Sequence, residues 1–110
     1  FNQEIVLPSG LTKIGNYFMC GVLSFSHKIV VPSSVTNIGT YFLYGDPAIS
    51  EVEVNTTTSP TDNYSLSSNL STSKNYTKGI TVTGTGASTW ITNLPNRTGS
   101  PFRKLIDGTA

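Results

Sequence analysis

Residues 5 to 21 read IVLPSGLTKIGNYFMCG and residues 29 to 45 read IVVPSSVTNIGTYFLYG, an ungapped match at an offset of 24 with ten of seventeen positions identical. A repeat of that length is an architecture rather than a motif, because one unit cannot bury its own apolar edge and must stack on its neighbour. The identities include Ile5 and Ile29, Pro8 and Pro32, Ile14 and Ile38, Gly15 and Gly39, Phe18 and Phe42, and Gly21 and Gly45. Each copy opens on an apolar, partly β-branched run, Ile5 to Leu7 and Ile29 to Val31, and stops at a proline that cannot donate to a sheet ladder. Each run is predicted to be one short strand. Alternation sends Ile5 and Leu7 to the core and Val6 outward, with Ile29, Val31 and Val30 doing the same one repeat later. Leu11, Ile14 and Phe18 follow at spacings of three and four, which predicts a turn or short 3₁₀ segment returning over the core.

Working outward, Val52 and Val54 repeat the Ile29 and Val31 spacing 23 residues later, and Ile80 to Val82 follows 28 residues after that. From Asn55 to Thr77, 16 of 23 residues are Ser, Thr or Asn, with Leu66, Leu70, Tyr64 and Tyr76 as possible anchors, so this stretch reads as a long convex-side excursion. Gly84 to Ala110 carries Trp90, Leu94, Pro95, Phe102, Leu105 and Ile106, enough apolar surface to close an open end. The expected architecture is a β-rich solenoid: a parallel ladder with short 3₁₀ or turn segments on the convex side. Residues 1–54 form two regular coils and a third strand; residues 55–110 form a degenerate repeat and a C-terminal cap of the same continuous domain.

At these residues the chain resembles the BspA-type (Treponema pallidum-like) leucine-rich repeats of bacterial surface proteins, whose unit is an apolar strand, Pro, a Ser-Val-Thr-like run, Ile-Gly, an aromatic and a small-residue turn. Val31-Pro32-Ser33-Ser34-Val35-Thr36-Asn37-Ile38-Gly39 carries the closest fit and Leu7 to Gly15 a near one, with residues 5 to 54 covered. Ser59-Pro60, Ile80-Thr81-Val82, Trp90 and Phe102 to Ile106 are similar to the divergent ending of such arrays, except that Thr83-Gly84 stands where proline is more usual. The resemblance implies a scaffold exposed outside a cell, with adhesion and protein recognition as its roles and no catalytic residues.

Composition agrees with an outward-facing surface. The 110 residues contain 39 Ser, Thr and Asn, only 12% charged residues and a formal charge of +1. So small a net charge leaves no electrostatic footprint for nucleic acid or an anionic membrane. No apolar run approaches the roughly 18 residues of a membrane span. The chain starts at Phe1 rather than Met, directly in a strand-like pattern, and reads as a processed product or a fragment.

Chemistry-bearing residues are few. One cysteine and one histidine allow no disulfide framework and no His-rich metal cage. Cys20 has Tyr44 as its counterpart in the next copy and so reads as a packing residue, and nothing places it beside His27 as a thiol hydrolase requires. Gly84-Thr85-Gly86 lacks the third glycine and the lysine of a phosphate loop and reads as a polar turn. Leu94 to Gly99 has one residue too many for a wall-sorting signal. Asn55, Asn63, Asn69, Asn75 and Asn96 each begin a glycosylation sequon, close to what this composition produces by itself. Glu51 and Glu53 share a strand face, as a glycosidase pair might, but a solvated face is the simpler reading.

The ladder face itself is then the candidate site. Stacking predicts a row of Val6, Val30, Glu53 and Thr81 beside a row of Glu4, Lys28, Glu51 and Gly79, the charges alternating across strands. Glu4, Val6, Lys28, Val30, Glu51 and Glu53 are the expected ligand-binding residues, with no cofactor and no metal. The partner class is a protein or glycan on another surface, with no nucleic acid and no membrane insertion. Ile5, Leu7, Leu11 and Ile14 have no coil above them and form an expected assembly edge, to be covered by further repeats or another chain. The expected function is a non-catalytic recognition or adhesion module of an extracellular or cell-surface protein. The alternative is a structural or decorating component of a virion or surface filament.

Overall fold

The protein is described from a computed structural model, over residues 5–18, 27–44, 49–60, 65–66, 79–94 and 105–109. Its strands are short because proline and glycine cut the β-branched runs. β1 (Lys13–Ile14), β2 (Ile29–Val31), β3 (Asn37–Ile38), β4 (Glu51–Val54), β5 (Ile80–Thr83) and β6 (Leu105–Asp107) form two sheets, with α1 (Ala87–Asn93) between β5 and β6. The sheets are β1-β3 and β2-β4-β5-β6, and every pairing is parallel.

Period-two alternation accounts for the larger sheet. Ile29, Val31, Val52, Val54, Ile80 and Val82 are buried while Val30, Glu51, Glu53, Thr81 and Thr83 face outward or lie half-buried. Each fully buried aliphatic side chain contributes roughly 1.5–3 kcal/mol relative to exposure, before the entropy of ordering it is set against that. The Val30↔Glu53 pairing is the one expected from the repeat.

The 24-residue offset of the sequence repeat is also the offset of β1 against β3, with Lys13 opposite Asn37 and Ile14 opposite Ile38. The same spacing recurs outside the strands. The Tyr17 N–H donates to the Thr40 carbonyl (2.8 Å), the Leu43 N–H to Phe18 (3.0 Å) and the Leu66 N–H to Phe42 (2.8 Å). Ser65 and Leu66 thus occupy, in the degenerate stretch, the place held by Tyr41 and Phe42 one repeat earlier, and Leu66 is fully buried there.

Three expectations are corrected at particular residues. Ile5 to Leu7 form no strand; a three-residue run at an outer edge gains hydrogen bonds on one side only, and Ile5 and Leu7 instead lie half-buried against the core. The segment around Ile14, expected as a turn or 3₁₀ piece, carries β1 of the second ladder. Its Thr12 and Ile14 carbonyls accept from Thr36, Asn37 and Gly39 one repeat on, and a two-residue strand leaves no periodicity to read. β5 sits two residues from its expected register, with Thr81 opposite Glu51 and Thr83 opposite Glu53. Because the slip is even, Ile80 and Val82 keep their inward direction.

The glycine pair explains the slip. Gly84 takes φ +93° and packs directly on the Val54 carbonyl, and a Cβ at Gly86 would collide with the Thr56 carbonyl. The Gly86 N–H donates to Val54 (2.9 Å), so the turn leaving β5 is pinned to the end of β4 and fixes the register. From there α1 carries Trp90 into the core. The Trp90 indole N–H donates to the Thr56 carbonyl (2.9 Å), and the Thr56 hydroxyl in turn donates to Val35 (2.8 Å). The core cluster therefore spans both parts of the chain, from Ile14 to Leu105.

Candidate recognition face

The outward side of the larger sheet is organised by one lysine. Parallel pairing of Ile29 with Val52 sets Lys28, the residue before β2, beside Glu51, the first of β4. The Lys28 ammonium lies 3.9 Å from a Glu51 carboxylate oxygen and 3.3 Å from Glu53. Glu53, diagonally placed, is thus the closer partner. The sequence alone set Lys28 beside Glu51.

Glu53 is held from its other side as well. The Asn55 amide donates to its second carboxylate oxygen (2.9 Å). The Asn55 and Lys28 hydrogen bonds, followed by the Lys28 charge, hold the Glu53 carboxyl below the usual glutamate range, against a smaller opposing effect of burial. Asn55 itself accepts from the Thr85 N–H (3.4 Å), so the chain Lys28, Glu53, Asn55, Thr85 crosses from β2 over β4 to the turn after β5. With both ends of its amide engaged, Asn55 is a structural residue and a poor acceptor for a glycan. Nothing in its sequence context beyond the sequon marked it.

Of the other expected binding residues, Val30 lies on the same face opposite Glu53. Val6 is 78% exposed but belongs to no strand, so it stands outside the row expected of it. The row actually formed by pairing is Val30, Glu53, Thr83, with Glu51, Thr81 and Ile106 beside it. Glu4 and Cys20 lie outside the described residues, as do Asn63, Asn69, Asn75 and Asn96.

At the expected assembly edge, Ile5, Leu7 and Leu11 are half-buried and pack on the core, and Ile14 is 4% exposed and part of it. Ile14 is covered because Ile38 and the second ladder lie over it, a contact the 3₁₀ reading did not include.

A second exposed feature was not singled out from the sequence. Tyr17 and Tyr41, a repeat apart, stack with ring centroids 5.2 Å apart and planes 4° from parallel, and Tyr44 meets Tyr41 edge-on at 5.1 Å. The identity of both tyrosines in the repeat was the available signal. Among the described residues no group of three His, Cys, Asp or Glu could hold a metal ion, and no helix is long and apolar enough to cross a membrane. No family model, no curated protein and no solved structure matches the chain.

Proposed function

We propose that this chain is a non-catalytic recognition module of a secreted or surface-exposed protein, the capped end of a leucine-rich-repeat solenoid that holds a protein or glycan partner against its exposed strand face. The observation that carries the reading is the Lys28, Glu51, Glu53 and Asn55 cluster. Parallel pairing displays fixed, partly desolvated charges on a face whose opposite side is the core, which is how a regular ladder serves as a docking surface. The composition, rich in Ser, Thr and Asn and poor in charge, suits an extracellular location.

The test is charge exchange. Lys28→Glu combined with Glu53→Lys keeps the net charge and the pairing but inverts the pattern. Binding of the wild-type chain to intact cell surfaces, with the variant failing to bind while its amide spectrum stays folded, is the expected result. Equal binding by both chains refutes the strand face as the site.

A second reading has its own support in Val6, exposed beside the half-buried Ile5, Leu7 and Leu11. In it the chain decorates a virion or surface filament and docks through this end. Leu7→Asp then abolishes incorporation into particles without affecting the strand-face variant, and normal incorporation rules the reading out.

A further inference from the structure

Tyr17 and Tyr41 both take left-handed backbone conformations, at φ 62° and 57°. A residue with a Cβ adopts that region at a cost on the order of 1 kcal/mol or more, and glycine or asparagine fills it with less strain. Both alternatives occur in the same turn, as Gly15 and Asn16. The chain nevertheless places tyrosine there in both copies of the repeat. Stacking returns about 0.5–1.5 kcal/mol, which roughly offsets the strain and leaves the choice of an aromatic without a net structural gain.

What the arrangement does produce is a presented ring. Tyr17 is 60% exposed although one of its faces lies on Tyr41, so its other face is open. The ring is held in place from the backbone, since the Tyr17 N–H donates to Thr40 (2.8 Å). Beside it, the Asn16 side-chain oxygen accepts from the Thr40 N–H (2.9 Å), which fixes the amide and leaves its Nδ2 donor without a partner among the described residues. Residues 14–26 and 29–45, which carry both tyrosines, contain no Asp, Glu, Lys or Arg.

We propose that the open ring face of Tyr17, with the Asn16 amide beside it, is a subsite for a neutral hexopyranose ring of a surface glycan. A pyranose has one face of C–H groups that packs on an aromatic ring and a rim of hydroxyls that accept from an amide donor. An uncharged, pre-oriented aromatic with an adjacent amide supplies both. An arginine-bearing peptide would also stack on tyrosine, but it needs a carboxylate to hold the guanidinium, and these segments have none. The proposal rests on the recognition reading and names its partner class.

The test uses the full chain with lactose and chitotriose as probes, followed by saturation-transfer NMR. Transfer to the C–H protons of one sugar face, retained in Tyr17→Phe and reduced at least about tenfold in affinity in Tyr17→Asn, is expected at millimolar strength. Asparagine tolerates the left-handed backbone, so the variant folds and its amide spectrum verifies this. No transfer from either sugar at about 10 mM, or transfer unchanged in Tyr17→Asn, overturns the subsite.

A surface-binding assay separates this from the reading beneath it. Binding that survives Tyr17→Asn but not the Lys28 and Glu53 exchange refutes the subsite and keeps the recognition module. Binding lost in Tyr17→Asn yet indifferent to enzymatic removal of surface glycans assigns the tyrosine to a protein partner and refutes the glycan. Sugar transfer that depends on Tyr17, with no surface binding by the wild-type chain, upholds the subsite and removes the adhesion role.

Discussion

Two aromatic columns run side by side through this molecule, built from adjacent residues of the same repeat and put to different use. Phe18 stacks on Phe42 at 5.6 Å with planes 13° apart, and Trp90 closes that column edge-on at 5.8 Å. Tyr17 stacks on Tyr41, and Tyr44 closes that column edge-on. The geometry is nearly the same in both. Phe42 and Trp90 are wholly buried whereas Tyr17 is mostly exposed, so the first column binds the repeats to the cap and the second supplies a surface. Stacking at a repeat's spacing thus acquires its role from burial, and one repeat can carry stability and recognition on neighbouring residues.

The comparison can be broken most severely from the buried side. Phe42→Ala removes a ring packed against Phe18 and Trp90 and is expected to destabilise the chain by about 3–5 kcal/mol, enough to unfold a domain of this size at moderate urea. A loss below about 1 kcal/mol, measured by urea titration, contradicts the column's structural role. Next in size is Ser65→Ala. The Ser65 hydroxyl accepts the Phe42 N–H at 2.8 Å in a buried position, so its removal strands that donor and costs about 1–3 kcal/mol. An unchanged denaturation midpoint shows that the third repeat position does not support Phe42.

On the exposed side the effects shrink. Tyr41→Asn loses the stack but relieves a left-handed tyrosine, and the two nearly cancel, leaving stability within about 1 kcal/mol of wild type. A loss as large as that of Phe42→Ala erases the distinction between the columns. The smallest effect belongs to Glu53. Its pKa is lowered in the folded chain, so its stabilisation is present at neutral pH and is lost as pH falls through the folded value, below the ordinary glutamate range near about 4.3. Glu53→Gln therefore flattens the acid limb of the stability curve slightly and does nothing above it, where a surface pair contributes about 0–1 kcal/mol. A variant that changes stability only above neutrality contradicts the assignment.

How much of this was legible before the structure depends on which residues are asked. The matched segments at 5 to 21 and 29 to 45 announce pairing at an offset of 24, and β1 with β3 pairs at that offset. Alternation in Ile29 to Val31 and in Val52 and Val54 identifies buried and outward side chains, because sheet geometry leaves no other choice. The β5 register was not legible, since Gly84 and Gly86 act through contacts with the Val54 and Thr56 carbonyls thirty residues away. Asn55 and Ser65 were hidden for a related reason. In a stretch of Ser, Thr and Asn any of them could take a given hydrogen bond, and only the fold selects which one does. Lys28 with Glu51 could be read as a pair; that Glu53 sits nearer required the diagonal geometry of neighbouring strands.

Both the strand face and the tyrosine column exist only if segments one repeat apart lie parallel in the stated register. Cross-strand NOEs in the isotope-labelled chain test that most directly. The account predicts contacts between Ile29 and Val52, between Glu51 and Thr81, and between Lys13 and Asn37, together with ring contacts between Tyr17 and Tyr41. Contacts of Glu53 with Thr81 in place of Thr83, antiparallel patterns, or no contact between the two tyrosines would contradict it.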